Sequence, residues 1–198
     1  DPWNGDPEET NAPDGVAKKA LLVGAQGYRE QYGLNSIFLL PVNLYGPRDN
    51  FDLETSHVIP ALIHKMEDAQ QRGEEQVVLW GDGSPTREFL HVDDCAKACL
   101  FLMDSYDEPE PINVGTGEDL SIRELAILVK GIVGFEGALV WDSTKPDGTP
   151  RKQLDTRKIN QLGWKPSIGL EEGIRSTYRW YLEHVEIGLG REREQRHA

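Results

Sequence analysis

The 198 residues hold 21 Lys and Arg against 34 Asp and Glu, a formal net charge of −13, with 38% apolar and 28% charged residues, 20 Gly and 12 Pro. That length supports one substantial domain or two small interlocked ones around a real core, and the composition is neither collagenous nor broadly disordered. The acidic balance argues against nonspecific attraction to nucleic acid or an anionic membrane surface, no apolar run approaches the roughly 20 residues of a membrane-spanning helix, and only two cysteines, Cys95 and Cys99, rule out a disulfide framework.

Asp1 to Thr10 is acidic and proline-bearing, reads as loop throughout, and is the opposite of a signal peptide, so a cytoplasmic setting is the default. The first predicted element is a helix from about Gly15 to Tyr32, with Val16, Ala20, Leu22 and Val23 near one face and Gly33 as its stop. The apolar run Ser36 to Val42 reads as a buried strand, and Asn43 to Asn50, rich in Gly, Pro, Asn and Asp, as loop. A helix from about Ser56 to Arg72, a strand over Val77 to Trp80 and a turn over Gly81 to Pro85 follow. Asp93 to Asp104 predicts a helix and Pro111 to Val114 a strand. Ser121, with Glu124 three residues later, matches a capping box opening a helix to about Val133. Ala138 to Trp141 is a further strand, loop runs through Lys152, and a Trp- and Tyr-rich helix spans Leu170 to His184, ahead of a charged, frayed tail from Gly190.

Strands alternating with helices give an α/β fold. Gly115-Thr-Gly117 follows a strand, but the third glycine and the spaced acidic residue of a dinucleotide fingerprint are missing, so a plain turn is favoured over a pyrophosphate cradle. Cys95 and Cys99 are read as small hydrophobes, and no zinc-type spacing suggests a metal.

Several words of the sequence, in order, carry a resemblance. They are Pro13-Asp-Gly-Val-Ala-Lys18, Pro41-Val-Asn-Leu-Tyr-Gly-Pro47, Ser56-His-Val-Ile-Pro-Ala-Leu62, Trp80-Gly-Asp-Gly83, Arg87-Glu-Phe-Leu-His-Val-Asp-Asp94, Ile112-Asn-Val-Gly-Thr-Gly117, Lys145-Pro-Asp-Gly-Thr-Pro-Arg-Lys152 and Leu162-Gly-Trp164. Together they resemble the extended short-chain dehydrogenase/reductases that act on nucleotide sugars, over nearly all of Asn11 to His184. The Ser56 and Lys145 words point to the members that take a GDP-linked 4-keto-6-deoxymannose, epimerise C3 and C5, and reduce C4 with NADPH. The resemblance implies that this chain is the C-terminal portion of such an enzyme. Residues 1–55 would be a remnant of the NADP-binding Rossmann domain. Residues 56–186 would be mainly the nucleotide-sugar-binding α/β domain, with segments returning to the Rossmann part, and 187–198 a charged tail. The glycine-rich cofactor loop and a catalytic Ser or Thr have no counterpart in the sequence.

The family's Tyr-x-x-x-Lys motif would end at Lys18, which sets Asp14 at the tyrosine position. Four residues apart on a helix, Tyr and Lys share a face, and the ammonium lowers the phenol's pKa from about 10 toward the working range. A carboxyl group, with a reference pKa of about 3.9, has no proton to give at neutral pH; Asp14 is read instead as a helix cap or a partner for Lys18. The resemblance assigns His57 to acid/base work in epimerisation, which imidazole suits, and sets Lys18, Pro41, Val42, Asn43, Leu44 and His57 against the cofactor NADP(H). It sets Lys65, Trp80, Arg87, Asp147 and Lys152 against the GDP-sugar: Arg87 as a bidentate grip on the diphosphate, Trp80 as an aromatic face, Asp147 as an acceptor for guanine or ribose, and Lys152 with Arg151 as added positive charge. His64 and His91 are left to core or surface roles. The isolated chain is expected to be inactive. A non-catalytic GDP-sugar-binding module and a truncated or engineered structural variant stay open beside the enzyme reading, and partnership with a missing N-terminal half or with a second copy is not decided by sequence.

Overall fold

The chain is described here by a computed structural model covering residues 12–196, so the reading of Asp1 to Thr10 as loop lies outside the described residues. Helix α1 (Ala12–Tyr32) starts earlier than predicted, which moves Asp14 from the cap into the first turn, where a carboxylate suits the helix dipole. Gly33, at φ 67°, ends the helix in the left-handed conformation and donates its N–H to Arg29 O. Of the expected apolar face only Leu22 is buried; Val16, Ala20 and Val23 are exposed. At about 100° per residue, Val16 and Val23 stand roughly 120° and 100° around the helix from Leu22, so the three never shared a face.

The apolar run 36–42 yields only a three-residue strand, β1 (Leu39–Pro41), and Asn43–Tyr45, read as loop, is a second strand, β2. The chain changes sheets at Val42. Helix α2 (Val58–Arg72) is followed by β3 (Gln76–Trp80) and then by β4 (Thr86–His91), a strand that no sequence pattern announced. Helix α3 (Val92–Ser105), β5 (Ile112–Val114), β6 (Asp119–Ser121), helix α4 (Ile122–Val133), β7 (Ala138–Asp142) and the two-residue β8 (Arg151–Lys152) come next. Two helices close the chain, α5 (Arg157–Gln161) and α6 (Leu170–Arg196). The last helix does not stop at His184: residues 191–196 are Arg, Glu and Gln, which favour helix whatever their charge.

Strand β1 pairs in parallel with β5, and β3 in parallel with β7. The centre is β4, which pairs in parallel with β2 through Phe89–His91, antiparallel with β6 through Thr86–Glu88, and in parallel with β8 at Thr86 and Arg87. Two apolar clusters flank these sheets. One gathers Ile59, Ile63 and Met66 of α2, Leu125 and Val129 of α4, and Ile174 and Tyr181 of α6. The other gathers Leu90, Leu102, Ile112, Val114, Ile159 and Trp164, with Leu39, Val42 and Leu44 against it. Cys95 packs at the edge of the second cluster, where burial pushes its thiol up to about 11, while Cys99 is exposed and not packed as expected.

The capping box is present in full: Glu124 N–H donates to Ser121 Oγ at 3.1 Å and Ser121 N–H to Glu124 Oε2 at 2.8 Å. Helix α3 is capped differently, by the buried imidazole of His91, whose Nδ1 accepts the Asp93 N–H at 3.2 Å. Burial holds His91 below the ordinary histidine range with some help from Lys97, against the opposing pull of Asp93, Asp94 and Glu172. The unfolded chain takes up this proton near pH 6.5 and the folded chain only lower, so the contribution is intact above about pH 6.5 and is lost as pH falls toward the folded value. Chemical denaturation at pH 7 and pH 5.5 is expected to show a lower midpoint at pH 5.5, and a smaller drop in His91→Asn, which keeps a cap without the titration. An unchanged drop in the variant would rule His91 out as the cause. Among the described residues no helix is long and apolar enough to cross a membrane.

Candidate functional site

The C-terminal ends of parallel strands leave backbone groups and side chains facing a crevice, and here β1 runs out into one beside the start of β2. Pro41, Val42, Asn43 and Leu44 line a 620 Å³ cavity with His57, with Lys18 of α1, and with the segment Arg151–Leu154. His57 is the N-cap of α2, but its side chain makes no capping hydrogen bond and stays exposed. Three cations and no carboxylate line this cavity, in a chain of net charge −13. Two of the cations have carboxylate partners outside the lining. Lys18 Nζ meets Asp14 Oδ2 at 2.8 Å, an exposed i,i+4 pair, and Arg151 binds Asp119 through Nε at 2.8 Å and Nη2 at 3.2 Å. The Arg151 guanidinium and the Thr86 hydroxyl hold Asp119 below the usual carboxylate range.

A second cavity, of 260 Å³, shares Asn43 with the first and is lined by Trp80, Arg87 and Asp147. The register of β4 and β8 sets Lys152 beside Arg87, so the two cations neighbour each other across the junction. Arg87 Nη1 donates to Thr86 O at 2.7 Å. Trp80 is 65% exposed, with Lys65 Nζ 5.9 Å and Lys145 Nζ 5.7 Å from its ring centroid. Asp147 Oδ1 accepts the Asp82 N–H at 2.8 Å and covers Gly81, whose φ of 76° and lack of a side chain permit that approach. One Asp147 oxygen is therefore engaged within the protein. His64 lies apart from both cavities, with Nδ1 2.6 Å from Phe51 O and its ring against Tyr181.

The side chains from 18, 41–44, 57 and 152 thus meet in one cavity, and those from 80, 87 and 147 in its neighbour; Lys65 lines neither and meets this group through the Trp80 ring. Gln153 and Leu154 were not anticipated in the wall, nor was Glu88 behind it. The Gly115–Gly117 turn offers no anion site, because the Gly117 N–H already donates to Glu88 Oε1 at 2.7 Å. For a dinucleotide the fit is therefore partial: Lys18, Pro41–Leu44 and His57 could face a nicotinamide, but the Gly117 amide of the Gly115–Gly117 turn is already taken by Glu88 and is not presented to a pyrophosphate. Among the described residues no group of three or more His, Cys, Asp or Glu is placed to hold a metal ion.

Residues 3–115 match the NAD dependent epimerase/dehydratase family. The chain belongs to that family. It is 55% identical over 178 residues to a probable GDP-L-fucose synthase 1 of Oryza sativa, covering 90% of this chain and 54% of the relative. It is 47% identical over 186 residues to the GDP-L-fucose synthase of Escherichia coli, covering 89% and 58%. Among solved structures, a GDP-L-fucose synthetase from Naegleria fowleri bound to NADP superposes with a TM-score of 0.87 at 33% identity, over 93% of this chain and 60% of that one. The chain is a GDP-L-fucose synthase homologue with the α/β fold of this epimerase/dehydratase family, and it spans little more than half the length of the curated relatives it matches.

Proposed function

We propose that these residues are the GDP-sugar-binding part of a GDP-L-fucose synthase, an enzyme that epimerises GDP-4-keto-6-deoxymannose at C3 and C5 and reduces C4 with NADPH. The observation that carries the proposal is the cationic, carboxylate-free cavity opening beside Trp80 and Arg87 in a strongly acidic chain. Arg87 and Lys152, register neighbours, would neutralise the diphosphate, with the planar guanidinium gripping two oxygens at once. Trp80 would stack the base, its ring already attracting Lys65 and Lys145. The free oxygen of Asp147 would accept from guanine or ribose. His57, exposed and unused by its cap, would move the proton beside the keto group. NADP(H), when bound, supplies the hydride; Lys18 and Pro41–Leu44 would meet its nicotinamide end.

Reduction also needs a proton donor at the nascent alkoxide, and Asp14, ion-paired with Lys18, is not one. The 198 residues alone are therefore expected to bind GDP-sugar without turning it over. That pair favours the binding-module reading for the chain taken by itself. A cytoplasmic setting fits two cysteines that stay free. Calorimetric titration with GDP and GDP-fucose, beside an NADPH-oxidation assay with GDP-4-keto-6-deoxymannose, tests both parts. Binding heat without oxidation is expected. No heat at millimolar ligand would sink the assignment of the cavity, and NADPH oxidation would sink the expected inactivity.

A further inference from the structure

We infer that Glu88 is a positioning residue for the nucleotide cavity: its carboxylate occupies the anion-binding turn at Gly115–Gly117 from inside the protein and holds in place the segment that presents Lys152. The inference rests on the proposed function only for the identity of the ligand.

Glu88 is fully buried in the middle of β4, where a carboxylate is costly unless hydrogen-bonded. Its bonds go to two separate loops. Oε1 accepts the Gly117 N–H at 2.7 Å and the Thr116 hydroxyl at 3.3 Å, and Oε2 accepts the Leu154 N–H at 3.0 Å. A turn whose donors converge on a negative charge is the arrangement that elsewhere cradles phosphate, and here the charge belongs to the chain itself. The turn is shaped for it: a Cβ on Gly115 would lie 2.2 Å from Glu88 Oε1, and Gly117 sits at φ 79°. The glycines at 115 and 117, which make no sense as a pyrophosphate fingerprint, are explained by this internal anion.

The consequence reaches the cavity by a short path. Leu154 ends the Arg151–Leu154 wall, Gln153 Nε2 donates to Gly117 O at 2.7 Å, and Lys152 comes directly before Gln153. The main-chain carbonyl of Glu88 accepts Asn43 Nδ2 at 2.8 Å, and Asn43 lines both cavities. With the carboxylate gone, the wall keeps the β8 pairing, Arg151 on Asp119 and Gln153 on Gly117 O, but its far end at Leu154 loses its bond to β4. Glutamine at 88 matches the shape but offers a single acceptor oxygen, and aims an NH₂ group at one of the two N–H donors.

Hydrogen–deuterium exchange of wild type and Glu88→Gln, each with and without GDP, tests this. Exchange is expected to rise about tenfold or more over 115–118 and 151–156 in the variant, with α2 and α4 unchanged, and GDP affinity to fall about tenfold. Lys152→Ala is expected to lose GDP affinity with exchange in the wall unchanged. Unchanged exchange in the wall, or a uniform rise across the chain, would overturn the positioning role. Should Glu88→Gln fail to fold, NMR exchange on the wild type decides: the Gly117 and Leu154 amides are expected to be protected like core amides, and rapid exchange there overturns the inference. If the wild type ignores GDP, the assignment of the cavity fails, while the exchange data still judge Glu88.

Discussion

Replacing Arg87 by alanine is expected to weaken GDP binding about 10- to 100-fold, read as the change in Kd by calorimetry. A hydrogen bond to a charged group contributes about 1.5–3 kcal/mol, and about 1.4 kcal/mol is a factor of ten in affinity. Arg87 is placed for the upper part of that range. Its own strand fixes its backbone, and Nη1 is anchored on Thr86 O at 2.7 Å. A guanidinium held by its frame loses little freedom when it grips phosphate. Arg87→Lys should recover only part of the loss, since an ammonium keeps the charge but not the planar fork. Lys145 and Lys65, which lie over the Trp80 ring and line neither of the two cavities, should matter less. A wild type that binds GDP and an Arg87→Ala variant that binds it equally well would remove the diphosphate from this cavity.

Legibility in the sequence followed the range of the forces involved. The helices α2 and α4 were readable because their signals are local: apolar spacing, Ser121 with Glu124 at the start of α4, and glycines at 73 and 134 in the left-handed conformation at the ends. Strand β4 was not readable. Its sequence, Thr-Arg-Glu-Phe-Leu-His, is polar in one half and apolar in the other, because its first half trades bonds with β6 and β8 and its second half lies beside β2 in the core. Strands of two or three residues, such as β6 and β8, are too short to show any period. The wall of the main cavity comes from four stretches far apart in the chain, around 18, 41–44, 57 and 151–154. No spacing rule joins them, so only a resemblance over the whole chain could nominate Lys18, His57 and Lys152 together. Glu88 escaped because nothing local distinguishes a carboxylate destined for the interior. Its one trace was a Gly-Thr-Gly turn with no evident purpose.

Gly173→Ala is expected to destabilise the protein by up to about 2 kcal/mol net, although the residue lies in helix α6, where alanine is intrinsically better than glycine by about 1 kcal/mol. The opposing effect is steric. A Cβ at 173 would stand 2.2 Å from Tyr45 Oη, 2.9 Å from Tyr45 Cζ and 3.0 Å from His91 Cδ2. Both rings are buried and packed edge to face on each other, so neither can swing aside as an exposed side chain would. Overpacking of this kind costs about 1–3 kcal/mol, more than the propensity gain. The strain would also reach the site, because Tyr45 ends the strand whose Asn43 and Leu44 line the main cavity. Gly24→Ala supplies the opposite sign from the same chemical change: in α1 a Cβ at 24 meets nothing within 4 Å, so only the propensity gain remains and stability should rise by up to about 1 kcal/mol. For a chain of this length each kcal/mol moves Tm by about 2–4 °C, so the two variants should fall on either side of the wild type in thermal denaturation. If Gly173→Ala melts above the wild type, as Gly24→Ala should, then α6 does not approach β2 and β4 as closely as described, and the packing that fixes Tyr45 beside the cavity is wrong.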